Sequence, residues 1–355
     1  MFFVSRTMKT EQIILNLLLK SENPIHQKRA NILAKMVASA VANPQAIYLT
    51  NLGRNLNINA HMKHKIKTAD RLIGNKKLHQ EKEGIYRMLA STLLKDIKHP
   101  IILIDWSPLC KNQDKQLLRA AIALNGKRSI AIYEQVHSGE FLANREIQER
   151  FLQLLKVKIL PKNCQPIIIA DSGFRVPFFK HVEFFGWHWI GRIRNRDFIA
   201  KAQQNQYFPA KDLYAQATEK AENLGEIYWT KKSKFSCQLF LYHKPPKGRI
   251  DANLKGQRRK AKASRKNASR ESEPWLIVAS NSMQGLTPKD AINYYKTRMQ
   301  IETGFRDTKS PYYGLGLTDL SRVKPERYEI LLLIVALSML AFWIAGNAIY
   351  DKKNC

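Results

Sequence analysis

Residues 100–107 read PIILIDWS, an unbroken apolar run that closes on an acidic residue, Asp105. An apolar run without polar alternation is the pattern of a strand buried on both faces. Residues 166–173, PIIIADSG, repeat the pattern and close on Asp171. Between them, LLRAAIALNGKRSIAIYEQV (117–136) predicts two strands turning at Asn125-Gly126, a dipeptide suited to the positive φ of a tight hairpin. Residues 141–158 predict an amphipathic helix, FRVPFFKHVEFFG (174–186) a short helix, and HWIGRIRN (188–195) a further strand. A strand meander followed by strands alternating with helices predicts an α/β domain on a mixed sheet.

Toward the N-terminus the texture is helical. TEQIILNLLLK (10–20) and KRANILAKMVASAV (28–41) carry helix-type apolar spacing. LTNLGRNLNINAHMKHKIKTADRLIGNKKLH (49–79) reads as short helices with Gly53 and Asn57 as turn points. Arg54, Lys63, Lys65 and Arg71, with His61, His64 and Lys67, give it a cationic surface. That surface suits phosphate contact, and equally a solvated helix face. Toward the C-terminus, residues 196–274 are polar with short strand-like pieces, EIYWT (226–230) and FSCQLFLYHK (235–244), and eight basic residues in 255–270. This predicts a β-rich insertion with a basic loop. WLIVAS (275–280) returns to strand. PKDAINYYKTRMQIETGFRDTK (288–309) predicts one helix, started by Thr287-Pro288 and ending near Ser310-Pro311. ILLLIVALSMLAFWIAG (330–346) has the length of a short membrane span. Its charged N-terminal flank, Ser338 and the basic chain around it favour a buried core helix.

Charge narrows the function. The chain has 59 Lys and Arg against 29 Asp and Glu, a formal net charge of +30. Such a protein seeks polyanions, DNA first, with RNA and anionic membranes open on charge alone. The four cysteines are scattered with no CxxC pair, which argues against a zinc site or disulfide framework and fits a reducing cytoplasm. The N-terminal MFFVSRTMKTEQ lacks the h-region and cleavage site of a secretory signal.

Asp105 and Asp171, at the ends of apolar strands, sit where α/β sheets place their sites, although either alone is more often a turn former. On the 288–309 helix, Tyr295, Arg298, Glu302 and Lys309 stand at offsets 0, 3, 7 and 14, which at roughly 100° per residue fall within about 60° of one another. One stripe thus carries a phenol, a guanidinium, a carboxylate and an ammonium. As a bare pattern it also describes a surface ion-pair network.

Y-x2-R-x3-E-x6-K is the signature of the insertion-sequence-four family of bacterial DDE transposases, and all four positions match. LTNLGRNL (49–56), IDWS (104–107), DSGF with Val176-Pro177, and EPWLIVASN (273–281) resemble the same family in the same order. The resemblance covers residues 45–346. It implies an RNase H-like core over 98–195 and 275–355, interrupted by the insertion at 196–274 and preceded by a helical DNA-binding domain at 1–97. It implies that Asp105, Asp171 and Glu302 are catalytic, holding two Mg2+ ions for which Mn2+ can substitute. It further implies that Tyr295, Arg298 and Lys309 contact the transposon end and that a flipped base stacks on Trp275. Paired metals about 3.5–4 Å apart would neutralise converging carboxylates and clamp an in-line displacement. The implied partners are double-stranded DNA, as terminal inverted repeats and as target, and a second transposase subunit in a synaptic dimer. No membrane partner is implied, and the expected location is cytoplasmic, at the nucleoid. Family members continue beyond the apolar helix with further helices, so a chain ending at Cys355 is expected to be truncated. Three readings stay open on the residues alone: an inactive or truncated transposase that only binds DNA, a membrane-anchored protein, and a general RNase H-like nuclease.

Overall fold

The computed structural model describes residues 2–22, 24–43, 47–95, 97–110, 112–202, 204, 206–245, 252, 257–258, 261–262, 264, 272–309, 316–317 and 323–354. The chain divides into two compact units, Met1–Pro166 with Met299–Cys355, and Ile167–Arg298. The basic segment 255–270 lies almost wholly outside the described residues, as does Ser310-Pro311.

The first unit opens with helices α1 (Phe2–Leu19), α2 (Gln27–Ala42), α3 (Leu49–Arg54), α4 (Met62–Ile73) and α5 (Lys76–Leu93). Asn75 caps α5 by accepting from Leu78 N at 3.1 Å. Gly53 is not the turn its residue type suggests. It lies inside α3, buried, and a Cβ there would stand 2.5 Å from the Ile66 Cα. Its missing side chain is what lets α3 and α4 pack backbone to backbone. Asn57 does lie between the two helices.

Strands β1 (Ile101–Pro108), β2 (Lys115–Ala123) and β3 (Ser129–Ser138) follow as an antiparallel meander in the order β3-β2-β1. Gly126, at φ 94°, supplies the positive φ that the β2–β3 turn requires. The register sets Asp105 opposite Arg119, and Arg119 opposite Glu134. Directly opposed residues project from the same face, so these three form a row across the sheet. Asp105 does not end its strand, as the apolar run suggested. Pairing continues through Pro108, because Trp106 and Ser107 serve as ladder residues and not as a turn. Helix α6 (Arg145–Leu154) then widens into a π-helical turn, Leu155–Ile159.

The second unit contains β4 (Ile167–Ala170), helix α7 (Val176–Phe184), β5 (His188–Ile193), β6 (Phe198–Lys201), β7 (Phe208–Pro209), β8 (Glu222–Trp229), β9 (Phe235–Tyr242), β10 (Trp275–Ala279) and helix α8 (Pro288–Lys296). Strand order is β4-β5-β10-β9-β8-β6-β7. β4 and β5 are parallel, joined through α7, and the other pairings are antiparallel. Large aromatics fill this core: Trp187, Trp189, Trp229, Phe178, Phe179 and Phe240 are fully buried. The fold is thus mixed α/β, mostly antiparallel, with flanking helices.

The single helix expected over 288–309 is two. α8 is capped by Thr287, with Pro288 at its first position, and stops at Lys296; α9 (Met299–Lys309) begins three residues later. At the break, Thr297 N and Arg298 N bond three residues back, and the Thr297 hydroxyl donates to Tyr294 O at 2.6 Å. These tightened bonds replace the four-residue ladder. A continuous stripe from Tyr295 to Lys309 therefore does not follow from helical periodicity.

The chain closes on α10 (Pro325–Asn354). Over Pro325–Ala348 it is long and apolar enough to cross a membrane, but 61% of its most apolar window is buried within the fold. Ile330, Leu332, Leu333, Ile334 and Leu337 are completely buried, in a helix that packs on α2, α5 and β3. Its polar start is anchored by ion pairs Arg327–Asp70 and Glu329–Lys82. The Ser338 hydroxyl donates to Ile334 O at 2.7 Å, so no buried donor is stranded. Each such aliphatic side chain contributes roughly 1.5–3 kcal/mol on burial. The helix belongs to the core, as its flanks suggested.

Candidate active site and its basic surroundings

In the first unit, Asp105 projects half-buried from β1, its Oδ1 accepting from Trp106 N at 2.8 Å. Glu302 lies exposed in the first turn of α9, where the helix dipole favours a carboxylate. Lys309, in the last turn, donates from Nζ to Ser107 Oγ at 2.6 Å and to Pro108 O at 3.1 Å. The C-terminal end of α9 is thereby pinned to the strand that carries Asp105. Burial, reinforced by the Arg119 charge and opposed by Asp105, pushes the Lys309 ammonium down to about 8.

In the second unit, Asp171 directly follows β4, and its Oδ1 accepts from Gly173 N at 2.7 Å. Trp275, the first residue of β10, is half-buried at the centre of an aromatic and cationic group. The Tyr295 ring meets it edge-on at 5.4 Å and that of Tyr242 at 5.9 Å. The Arg192 Cζ stands 5.7 Å from its ring centre and the Lys244 Nζ 5.6 Å, distances at which the ring face attracts a cation. Tyr295 is only 4% exposed. Its phenol is raised first by burial, with Asp171 adding to the shift and the Arg298 and Arg192 charges opposing it. Arg298 lies over the Tyr295 ring at 5.8 Å. Arg192 on β5 and Arg194 just after it each bury an Nε that has no hydrogen-bond partner among the described residues. Neither arginine, nor Lys244, belongs to the motifs that mark the candidate site in the sequence. Two cations alternating at the end of an apolar strand were the available signal.

The N-terminal cations lie mostly at the surface. Lys63, Lys67 and Arg71 are exposed along α4 at four-residue steps, Lys65 is half-buried, and Arg54 is exposed at the end of α3. Ala69, Leu72 and Ile73 bury the opposite side.

The side chains of Asp105, Asp171 and Glu302 are hard oxygen donors, the chemistry that suits Mg2+ or Mn2+. Space beside Asp171 agrees with this, since a Cβ at Gly173 would come within 2.9 Å of its Oδ1. The donors therefore fit a divalent cation by chemistry. Asp105 and Glu302 lie in the first unit and Asp171 in the second. Among the described residues, no group of three or more His, Cys, Asp or Glu side chains is gathered as a metal cluster.

A strongly basic, mixed α/β chain with acidic residues on β1, after β4 and on α9 has the make-up of an RNase H-like nucleic-acid enzyme. The family model described as Transposase DDE domain matches residues 96–340, and the chain belongs to that family of DDE transposases. It is accordingly a DNA-binding enzyme of the metal-dependent nuclease and strand-transferase class, dependent on divalent metal. Comparison with curated proteins finds no match.

Proposed function

We propose that the chain is the cut-and-paste transposase of an insertion sequence, in the insertion-sequence-four family and resembling within it the transposase of insertion sequence ten. It binds terminal inverted repeats as double-stranded DNA, cleaves the ends through a hairpin and joins them to target DNA, paired with a second subunit in a synaptic dimer. It works in the cytoplasm at the nucleoid. Asp105, Asp171 and Glu302 are its metal-holding carboxylates. Two Mg2+ ions bound there would supply Lewis acidity and neutralise charge on the reacting phosphate. Tyr295, Arg298 and Lys309 serve the transposon end, Tyr295 by backing Trp275. Arg54, Lys63, Lys65 and Arg71, within a helical DNA-binding segment over 1–97, hold phosphates of the repeat.

The observation that carries this reading is the Trp275 group: a half-buried indole with the Arg192 and Lys244 cations within 6 Å of its ring centre and the Tyr295 ring against its edge. An indole with free ring surface beside cations receives an unstacked base and its phosphates. Unstacking costs a few kcal/mol, and aromatic stacking returns about 1–3 of them.

The test uses a duplex spanning the junction of flanking DNA with the inverted repeat nearest the coding gene. With Mg2+, the proposal predicts a nick at the repeat boundary followed by a hairpin. Binding without a nick identifies a DNA-binding protein that has lost catalysis, and nicks scattered without regard to the repeat identify a general nuclease.

A further inference from the structure

Arg119 sits on β2 between two partners, opposite Asp105 on β1 and Glu134 on β3. Its side chain is 4% exposed and that of Glu134 not at all. A buried Arg–Glu pair carries a desolvation cost that an apolar pair of equal volume avoids, so stability is a poor reason for it to be here. Its bonds suggest a different reason. Nε donates to Glu134 Oε1 at 2.7 Å, while Nη2 donates to the Thr308 hydroxyl on α9 at 3.0 Å. The guanidinium also lies 4.7 Å from the ring centre of Phe305, again on α9. The second Glu134 oxygen accepts from the Tyr86 hydroxyl of α5 at 3.1 Å.

The β2–β3 hairpin grips the same helix further along. Ser129 Oγ donates to Gln300 O at 3.1 Å, and the Gln300 amide bonds Leu124 N and O at 3.1 and 3.3 Å. Gly304 permits the approach, because a Cβ there would lie 3.2 Å from Ser129 Oγ and 3.5 Å from the Arg119 guanidinium. Arg119 thus joins the sheet row that begins at Asp105 to the helix that carries Glu302 and Lys309.

We infer that Arg119 is a positioning residue: through Thr308 and Phe305 it fixes the rotation of α9 about its axis, and with it the direction in which Glu302 points relative to Asp105. The inference rests on the proposed role of Glu302. A planar fork that holds two partners at once suits this task better than an ammonium does.

Thr308→Val removes the hydroxyl that Arg119 reaches while leaving the Arg119–Glu134 pair intact. Thr308→Ser keeps the hydroxyl, and Arg119→Lys keeps the charge but loses the fork. The full-length chain would be assayed on the repeat-boundary duplex for nicking rate at saturating DNA and for duplex affinity. Mn2+ binding without DNA would be followed by electron paramagnetic resonance. Thr308→Val is expected to slow saturated nicking about tenfold or more, as misplaced catalytic groups do. It should weaken Mn2+ binding and leave duplex affinity unchanged, and Thr308→Ser should restore the rate. Arg119→Lys should show the same split, and it decides the matter if Thr308→Val fails to fold. Wild-type rate and Mn2+ binding in the valine variant overturn the inference, as does a rate loss that merely tracks lost duplex affinity. A wild-type chain that neither nicks the duplex nor binds Mn2+ overturns the underlying reading instead.

Discussion

Lys309 spends its charge in a half-buried position, and its titration is depressed from the ordinary 10.5 to about 8, chiefly by burial. Below about pH 8 the ammonium is charged in both folded and unfolded chains, and the folded state bears the full desolvation penalty. Between about 8 and 10.5 the unfolded chain binds more protons, so stability gains from this group as pH rises, and above 10.5 the penalty is gone. Metal-free Lys309→Met protein should therefore lose the upward component of its stability between those pH values. Denaturant unfolding at pH 7.5 and 10 measures it, and an unchanged slope would refute the assignment. At Trp275 the expected effect is kinetic: Trp275→Ala should leave the first nick near its wild-type rate and slow hairpin formation by the equivalent of about 1–3 kcal/mol. Gel-resolved time courses separate the two steps, and equal slowing of both would contradict the stacking role. The acidic residues and Trp275 are legible in the sequence because they sit in runs with a distinctive signature. Arg119, Arg192 and Lys244 are not, because an arginine inside a strand looks like any other until register and packing give it partners.

Elements show where local reading succeeds and where it fails. The 117–136 hairpin follows directly from Asn125-Gly126, and the start of α8 follows from Thr287-Pro288. Gly53 misleads, since the same residue type serves a turn or a close helix crossing and only the partner backbone tells them apart. Gly53→Ala should force α3 off α4 and destabilise the chain by about 1–3 kcal/mol, the usual cost of overpacking. The measurement is denaturant unfolding, together with affinity for the repeat duplex, which should fall because α4 presents Lys63 and Arg71. A neutral alanine variant would show that the crossing can relax. The break at Thr297–Arg298 is likewise invisible to periodicity, because apolar spacing persists on both sides of it. Its origin is the i to i−3 bonding and the Thr297 hydroxyl.

For the whole molecule, charge and the apolar C-terminal helix set the behaviour. A net charge of +30 makes DNA affinity fall steeply with salt. α10 holds the first unit together from within, so Leu337→Ala should cost about 2–5 kcal/mol, read from thermal or denaturant unfolding. A shift below 1 kcal/mol would indicate that the helix docks loosely. The proposed function requires Asp105, Asp171 and Glu302, which the family resemblance singles out, to share bound metal. Anomalous scattering from Mn2+ in crystals of the chain bound to a repeat duplex tests this most directly. The account predicts manganese peaks ligated by carboxylate oxygens of Asp105, Asp171 and Glu302 together. Peaks that leave any one of the three unligated, or that lie elsewhere, would contradict it.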